Sequence, residues 1–257
     1  MTLCNKKRLN SLLQLMRLKC NIKQLLLLLF LLFPVVASSQ ERKVMNRPYL
    51  DDRVWHYGFS LGLNYQDMNI TNNGFPYINA NGELEYWYAD VASYTPGFSV
   101  GILGELKLSE NLALRIIPTM YFGDKQTVYS EQLSGQKKEQ IIKSTYMAIP
   151  FDVKVSAPRF NNYRPYLMAG LMPTVDLTVK KQKEILVKRM DCMFEIGMGM
   201  DLYYPFFKLI PELKFCFGLS DILVKDRKDL TDDTLLKYTQ SISSIQNRMI
   251  VLTLYFE

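Results

Sequence analysis

The stretch VWHYGFSLGLNYQ, Val54 to Gln66, alternates from Trp55 onward between apolar residues and polar or small residues. One face carries Trp, Tyr, Phe and Leu, and the other carries His, Gly, Ser, Asn and Gln. Side chains of a β-strand point alternately to opposite faces, so the pattern predicts one long strand with one apolar face. Strands of soluble proteins usually have about five or six residues, and this strand is longer. Its length matches the roughly 9–11 residues with which a tilted strand crosses a bilayer.

Seven further segments repeat this alternation. In each, aliphatic and aromatic residues occupy one face, while glycine, hydroxyl and charged residues occupy the other. The connections alternate between short turns and long loops, as they do in transmembrane barrels. We therefore predict eight strands, at about 54–66, 97–108, 111–123, 146–157, 164–177, 191–203, 207–219 and 248–257.

Alternation alone does not say which face of these strands lies inside. A soluble sandwich or lipocalin-like barrel would turn the apolar face inward. Strand length, charges on the glycine-containing face, an export signal and the final MIVLTLYFE favour the membrane. The aromatic residue near the end of that last segment resembles the C-terminal signal of outer-membrane assembly. The predicted fold is an all-β, eight-stranded antiparallel up-and-down transmembrane barrel with four long extracellular loops.

The apolar run LLLLLFLLFPVVA, Leu25 to Ala37, follows a basic segment and precedes small polar residues. It is too short for a membrane helix and is typical of a signal peptide. We predict a signal peptide at 1–40, a periplasmic lead-in at 41–53 and a barrel at 54–257, placing the chain in the outer membrane. Met16 begins a more typical signal than Met1, so the start codon stays open.

The formal net charge of +6 comes from the signal segment. Six of the 31 basic residues and none of the 25 acidic residues lie in positions 1–40, so the remainder is neutral. A neutral chain without a basic stripe gives no reason to expect nucleic acid as a partner.

Removal of the signal peptide would remove Cys4 and Cys20 and leave Cys192 and Cys216 in an exported chain. Two cysteines in an oxidising compartment invite a disulfide. The alternation places Cys192 on the outward face and Cys216 on the lumen face, so their side chains diverge. We predict two free thiols.

Candidate catalytic residues are few. His56 and Ser60 share one strand face and Glu105 could share the lumen, but Ser60 lies in no nucleophile motif and His56 is the only histidine. The chain supplies neither a histidine metal site nor an EF-hand-type calcium loop. We predict no catalytic residue, no metal, no cofactor and no small-molecule substrate.

The charged lumen is predicted to be structural. Short turns should bring opposite charges together across hairpins, and buried charges persist only when they are paired. Because eight strands leave a lumen that side chains can fill, we predict a plugged barrel without a solute channel. The predicted pairs are Glu105 with Arg115, Glu195 with Lys214, and Asp201 with Lys208.

The first long loop is rich in aromatic residues, which either contact a partner or belong to the membrane-interface girdle. The candidates for partner contact are Phe75, Tyr77, Tyr86, Trp87 and Tyr88. A basic third loop suits a solvated face or contact with anionic lipopolysaccharide. Its residues are Lys180, Lys181, Lys183, Lys188 and Arg189.

Five segments, in order along most of the mature chain, resemble the PorT (SprT) family of Bacteroidota. They are HYGFSLGLN (His56 to Asn64), PGFSVGILGELKLSENLALRIIPTMYFGD (Pro96 to Asp124), IKSTYMAIPF (Ile142 to Phe151), NNYRPYLMAG (Asn161 to Gly170) and EIGMGMDLYYPFFKLIPELKFCFG (Glu195 to Gly218).

The resemblance implies an outer-membrane barrel required for type IX secretion and, in gliding species, for motility. Its expected partners are outer-membrane lipid, lipopolysaccharide and other secretion proteins. Two alternatives stay open: a small barrel of structural or adhesive function, and a lipid-modifying barrel enzyme.

Overall fold

A computed structural model describes residues 45–257 except 79–81, 83, 94, 133–134, 180–184 and 228–234. The signal peptide, Cys4, Cys20, residues 41–44 and Lys180, Lys181 and Lys183 lie outside the described residues. The strands are β1 (Trp55–Asn72), β2 (Tyr77–Ile78), β3 (Leu84–Glu85), β4 (Trp87–Ser93), β5 (Pro96–Lys107), β6 (Leu112–Ile116), β7 (Thr119–Glu131), β8 (Lys137–Ala148), β9 (Phe151–Ser156), β10 (Tyr163–Asp176), β11 (Met190–Tyr203), β12 (Lys208–Gly218) and β13 (Ile242–Phe256). A 3-10 helix (Leu50–Asp52) precedes β1, and a short helix α1 (Leu236–Gln240) precedes β13.

Eight strand positions close into a ring. β1, β5, β10, β11, β12 and β13 each fill one position, while β6 continues into β7 and β8 into β9 to fill the other two. The breaks fall at Pro118 and Pro150, which have no backbone N–H to donate. β13 pairs antiparallel with β1 and closes the ring, so the predicted eight-stranded antiparallel barrel is confirmed.

The two faces of the strands separate as the alternation predicts. In β1, Tyr57 and Leu63 point outward and are 70% and 62% exposed, whereas Ser60 and Asn64 point inward and are each 2% exposed. Across the middle of the barrel the outward side chains are mostly apolar, whereas the inward ones combine buried charges with two apolar clusters, one around Met172 and one around Ile210. This arrangement matches a lipid-facing wall around a polar lumen.

Several strands extend well beyond their predicted ends. β1 runs on to Asn72, β7 to Glu131, and β13 begins at Ile242. β4 pairs with the end of β7, so Trp87 and Tyr88 lie on a strand. The prediction that they lie in a loop was wrong. The prediction stopped where the apolar-outward pattern stops, whereas the hydrogen-bonded sheet continues past that point.

The outward face changes from apolar to charged along these extensions. Asp67 of β1 lies opposite Arg248 of β13, and Asp124 of β7 lies opposite Lys143 of β8. Beyond this line an apolar cluster that includes Met68, Tyr129 and Ile245 is buried inside, together with polar side chains such as Thr127. A charged outer wall around buried apolar side chains is what water on the outside requires, so we place these extensions outside the membrane.

The register of β11 and β12 differs by two residues from the prediction. Lys208 lies opposite Tyr203, and Glu195 lies opposite Cys216, so Asp201–Lys208 and Glu195–Lys214 are not direct cross-strand pairs. The tip of the turn is Pro205–Phe206, because the Tyr204 N–H donates to the Phe207 carbonyl. Proline favours the second position of such a four-residue turn, and Pro205 occupies it. Compared with the prediction, the turn is therefore displaced by one residue and the strand register by two. A shift of two keeps every side chain on its predicted face.

Candidate functional site

A network of buried charges fills the middle of the barrel. Arg115 on β6 donates from Nε to Glu105 Oε2 at 2.6 Å and from Nη1 to Glu212 Oε2 at 2.7 Å. Glu105 is the cross-strand neighbour of Arg115, whereas Glu212 reaches it from β12 on the opposite side of the lumen. The Tyr166 and Tyr255 hydroxyls donate to the same Glu212 carboxylate. One arginine therefore joins two opposite sides of the barrel.

Two lysines extend this network toward the end with the short turns. Lys154 Nζ lies 2.9 Å from Asp201 Oδ2 and 3.3 Å from Glu105 Oε2. Lys208 Nζ lies 3.5 Å from Asp201 Oδ2 and 2.9 Å from Glu257 Oε2. Each of these carboxylates thus has at least one cationic nitrogen within 4 Å, as burial of charge demands.

A third lysine joins the remaining members. Lys214 Nζ lies 3.5 Å from Glu195 Oε2 and 3.7 Å from Glu212 Oε1. The structure therefore brings the predicted partners Glu105–Arg115, Asp201–Lys208 and Glu195–Lys214 within 4 Å, although only the first pair is in direct register. We call the connected set the lumen network: Glu105, Arg115, Lys154, Glu195, Asp201, Lys208, Glu212, Lys214 and Glu257.

The lumen network closes the barrel to solvent. Arg115, Lys154, Lys208 and Lys214 rank among the fully buried side chains. A cavity of about 20 Å³ remains at the short-turn end, lined by His56, Glu105, Lys208 and others, which is room for about one water molecule. The part of the lumen that the structure describes is packed rather than open.

His56 takes part in this packing. Its Nδ1 lies 2.5 Å from Glu257 Oε1, and the ring is buried. Ser60 lies four residues along the same strand, roughly 13 Å away at the usual rise per residue. Glu105, the cross-strand neighbour of His56, is held by Arg115 and Lys154. The three groups of a hydrolase triad are present but are not assembled.

The lead-in, of which residues 45–53 are described, crosses the short-turn end. The Asn46 backbone N–H donates to Asn162 Oδ1 at 2.8 Å, and Tyr203 Oη donates to Asp51 Oδ1 at 2.6 Å. Arg159 donates to the Asn46 carbonyl, pairs with Asp51 at 3.2 Å and stacks over Tyr203. The segment is tied to two different turns and covers this end of the lumen.

A separate apolar cluster closes the long-loop end. Trp87, Tyr129 and Tyr238 pack with their rings 4.7–5.0 Å apart at its centre. We call this cluster the cap: Met68, Trp87, Ala89, Tyr129, Ile185, Ile222, Leu223, Tyr238, Ile242 and Ile245. The two ends of the lumen are therefore closed by different chemistry.

The predicted aromatic contact residues do not form one surface. Phe75 is 71% exposed, Tyr77, Tyr86 and Tyr88 are half-buried, and Trp87 is 4% exposed within the cap. Burial corrects the prediction for Trp87, whose indole N–H donates to Glu85 Oε2 at 2.6 Å. Beside Phe75 lies a cleft of about 410 Å³, lined by Phe75, Tyr77, Trp87, Lys225, Lys237 and others.

The other sequence candidates have ordinary environments. Lys188 of the basic loop donates to the Asp221 carbonyl at 2.7 Å. Cys192 faces outward, Cys216 is buried in the lumen, and both are free thiols, as predicted. Among the described residues, no group of three or more His, Cys, Asp or Glu could hold a metal ion. Within the same ranges, no helix is long and apolar enough to span a membrane.

Sequence reasoning missed much of the lumen network. Lys154 alternates inward in the short segment FDVKVS, and Glu212 alternates inward on β12. The alternation therefore marked these side chains as facing the lumen. It could not show which charges meet across the barrel, because those contacts depend on closure and strand tilt.

Residues 38–224 match the family described as outer membrane protein beta-barrel domain, and the chain belongs to this family. The fold and the family together make it an outer-membrane β-barrel protein. Its short-turn end is then the periplasmic end and its long-loop end is the extracellular end.

Solved barrels of this kind resemble the chain at low sequence identity. Neisserial surface protein A is 8% identical and has a TM-score of 0.40, covering 79% of this chain and 98% of its own. Ail, the attachment invasion locus protein of Yersinia pestis, is 9% identical with a TM-score of 0.33, covering 78% and 96%. The N-terminal barrel domain of Pseudomonas aeruginosa OprF is 12% identical with a TM-score of 0.31, covering 77% and 97%. No curated protein matches the chain.

Proposed function

We propose that this outer-membrane barrel is a non-enzymatic component needed for type IX protein secretion, acting through proteins that contact its loops, rim or lipid-facing wall. The observation that carries the proposal is the packed lumen. Arg115 bridges opposite walls, the charged side chains around it are buried, and the cavity at the periplasmic end has a volume of about 20 Å³. Neither cargo nor solute fits through such an interior, so the useful surface of the barrel is its outside.

The family resemblance supplies the secretion role. Seven of the nine residues of the lumen network lie in two of the resembling segments, PGFSVGILGELKLSENLALRIIPTMYFGD and EIGMGMDLYYPFFKLIPELKFCFG. These segments resemble the PorT (SprT) family of Bacteroidota, for which type IX secretion and gliding are the expected processes. A barrel of this kind would assist the assembly or operation of the machinery rather than conduct the cargo.

The extracellular hairpin formed by β2 and β3 is the surface that we propose for partner contact. Phe75, Ile78 and Leu84 are 71%, 64% and 48% exposed there, although the extended strands have largely polar outer faces. Exposed apolar side chains grouped on a polar surface are typical of interaction sites. The neighbouring cleft adds Lys225 and Lys237 to the same surface.

Deletion of the gene, followed by complementation, tests the proposal. We expect loss of exported cargo from the medium, with normal outer-membrane permeability and restoration by the wild-type gene. Arg115 lies within the packed lumen, so the purified wild-type barrel should show no conductance in planar bilayers. Unchanged secretion in the deletion strain would end the secretion hypothesis.

The contact surface is tested separately by Phe75→Ser combined with Ile78→Ser. We expect reduced secretion with an unchanged amount of heat-modifiable barrel in the membrane. Glu139→Ser is the control, since Glu139 is exposed on the outer part of β8 and does not line the cleft beside the hairpin. Equal secretion by the double variant and the control would assign partner contact to the rim or the wall.

The exposed hairpin also favours a second candidate, an adhesive or structural barrel. In that case the deletion strain secretes normally but attaches less well to surfaces, and the double variant shows the same loss. Lipopolysaccharide contact by the outward charges Lys143, Lys188 and Arg248 would accompany either function.

A further inference from the structure

Two carboxyl groups meet in the lumen over a glycine. Gly170 of β10 lies opposite Asp152 of β9 on one side and Glu195 of β11 on the other. All three positions face inward, and a Cβ atom at position 170 would lie 2.1 Å from Asp152 Oδ1. Because Gly170 has no side chain, the Asp152 carboxyl occupies the space beside it. There it lies within hydrogen-bonding range of the Glu195 carboxyl.

These carboxyl groups are buried and incompletely hydrogen-bonded. Asp152 is 1% exposed and Glu195 is 0% exposed. Both oxygens of Asp152 and Oε1 of Glu195 lack a hydrogen-bond donor, whereas Oε2 of Glu195 has Lys214 at 3.5 Å and the Cys216 thiol at 3.8 Å. Every acidic member of the lumen network has a cationic nitrogen within 4 Å, but among the described residues no such contact is present for Asp152.

The neighbouring elements do not supply the missing cation. Arg115 of β6 is the cross-strand neighbour of Asp152, but its guanidinium turns to Glu105 and Glu212. Lys214 of β12 contacts Glu195 and Glu212. Tyr121 of β7 and Cys216 of β12 are buried in the same part of the lumen, and a phenol or a thiol can donate a hydrogen bond but supplies no positive charge. Two adjacent buried carboxylates cannot both stay ionised under these conditions.

We propose that Asp152 and Glu195 bind one proton between them in the folded barrel, as a carboxylic acid that donates a hydrogen bond to a carboxylate. The proton supplies the donor that the orphaned oxygens lack and removes one uncompensated charge from the lumen. In the unfolded chain both groups are ionised at neutral pH. The folded chain therefore carries one more proton than the unfolded chain.

This site makes barrel stability depend on pH in a defined direction. Because the folded state binds the extra proton, stability falls as pH rises. Between about pH 5 and 8 one such proton changes the unfolding equilibrium about tenfold per pH unit. Asp152→Asn should remove this component and keep the fold, since an amide N–H can donate to Glu195 as the protonated carboxyl does.

The experiment compares urea unfolding of wild type, Asp152→Asn and Asp201→Asn in lipid vesicles at several pH values. As pH rises, the unfolding equilibrium constant of the wild type should increase about tenfold more per pH unit than that of Asp152→Asn. At pH 8 the variant should be as stable as the wild type or more stable. Asp201→Asn is the control, because it leaves Lys154 and Lys208 short of a carboxylate and should destabilise at every pH. A large loss of stability for Asp152→Asn at every pH would show that Asp152 is ionised and would overturn the proposal.

Infrared spectroscopy tests the proton in the wild-type barrel without relying on a variant. A protonated carboxyl has a C=O band that carboxylates lack, and this band should be present at neutral pH and altered in Glu195→Gln. Absence of the band would overturn the proposal. Stability that depends on sodium concentration at constant ionic strength would also overturn it, because a bound cation would then replace the proton.

Discussion

The membrane-spanning part of the barrel and its extracellular extension use the same strands with opposite chemistry. Along β1, Trp55 to Tyr65 present apolar side chains outward, whereas Asp67 and Asn69 present polar ones on the same face. The interior changes in the opposite sense, from the lumen network to the apolar cap. The period of two thus identifies the strand, and the chemistry of each face identifies the solvent around it.

The two interiors also differ in how they respond to loss of a side chain. An ion network is costly to break because removal of one partner leaves buried charge behind. An apolar cluster loses contacts and gains a cavity, which neighbouring side chains can partly fill. Substitutions in the two regions should therefore differ in size and in the kind of partner change that rescues them.

The largest effect is expected for Arg115→Met. It leaves Glu105 and Glu212 without their arginine partner in the centre of the barrel. We expect a loss of about 5 kcal/mol in the free energy of unfolding, measured by urea titration of the refolded barrel. Addition of Glu105→Gln and Glu212→Gln should recover a large part of this loss. A loss below about 1 kcal/mol would show that the network is not a unit.

Trp87→Ala tests the cap. Its buried indole packs edge-on against Tyr238 with ring centroids 5.0 Å apart. We expect the free energy of unfolding of the extracellular end to fall by about 3 kcal/mol. Protease should cleave the long loops more readily, while the barrel stays non-conducting because the lumen network is separate. Appearance of conductance would mean that the cap alone closes the lumen.

A pair of glycine substitutions compares tight and loose backbone approach within one strand. A Cβ atom at Gly97 would lie 1.9 Å from the Phe122 carbonyl oxygen, whereas at Gly104 the nearest atom is 3.5 Å away. Gly97→Ala should therefore lose about 2 kcal/mol of unfolding free energy. Gly104→Ala should change it by less than about 0.5 kcal/mol. Equal effects would contradict the register of β5 and β7.

The smallest effect concerns Asp221, which lies next to the cap. Burial opposes its ionisation, but the backbone N–H groups of Ile245 and Leu223 hold the pKa of its carboxyl below the usual range. A lowered pKa adds stability above about pH 4 that is lost as pH falls through the folded-state value. Asp221→Asn should remove this acid-range component in an unfolding series from neutral to acidic pH, with a smaller change than Arg115→Met, Trp87→Ala or Gly97→Ala.

Strand number, face assignment and the Glu105–Arg115 pair could be predicted from the sequence because each depends on local alternation or on one short turn. The β11–β12 register could not, since it depends on whether Pro205 is the first or the second residue of the turn tip. The contact of Arg115 with Glu212 joins residues on opposite walls, so it requires the closed ring. The predicted strands end where the outward apolar residues stop. The cap could not be predicted because its residues lie beyond that point, where the apolar side chains face inward.

The lead-in contacts described above set an order of events. Asn46 binds Asn162 and Tyr203, which lie 116 and 157 residues further along the chain. The first described residues can therefore find their places only after two later hairpins have formed. Arg47 adds a contact to the Glu257 carbonyl, 210 residues away. We expect this lead-in segment to take its place after those hairpins have formed, and protection of the Arg53–Val54 bond from trypsin should report that step, because the backbone on both sides of the bond is hydrogen-bonded in the folded barrel.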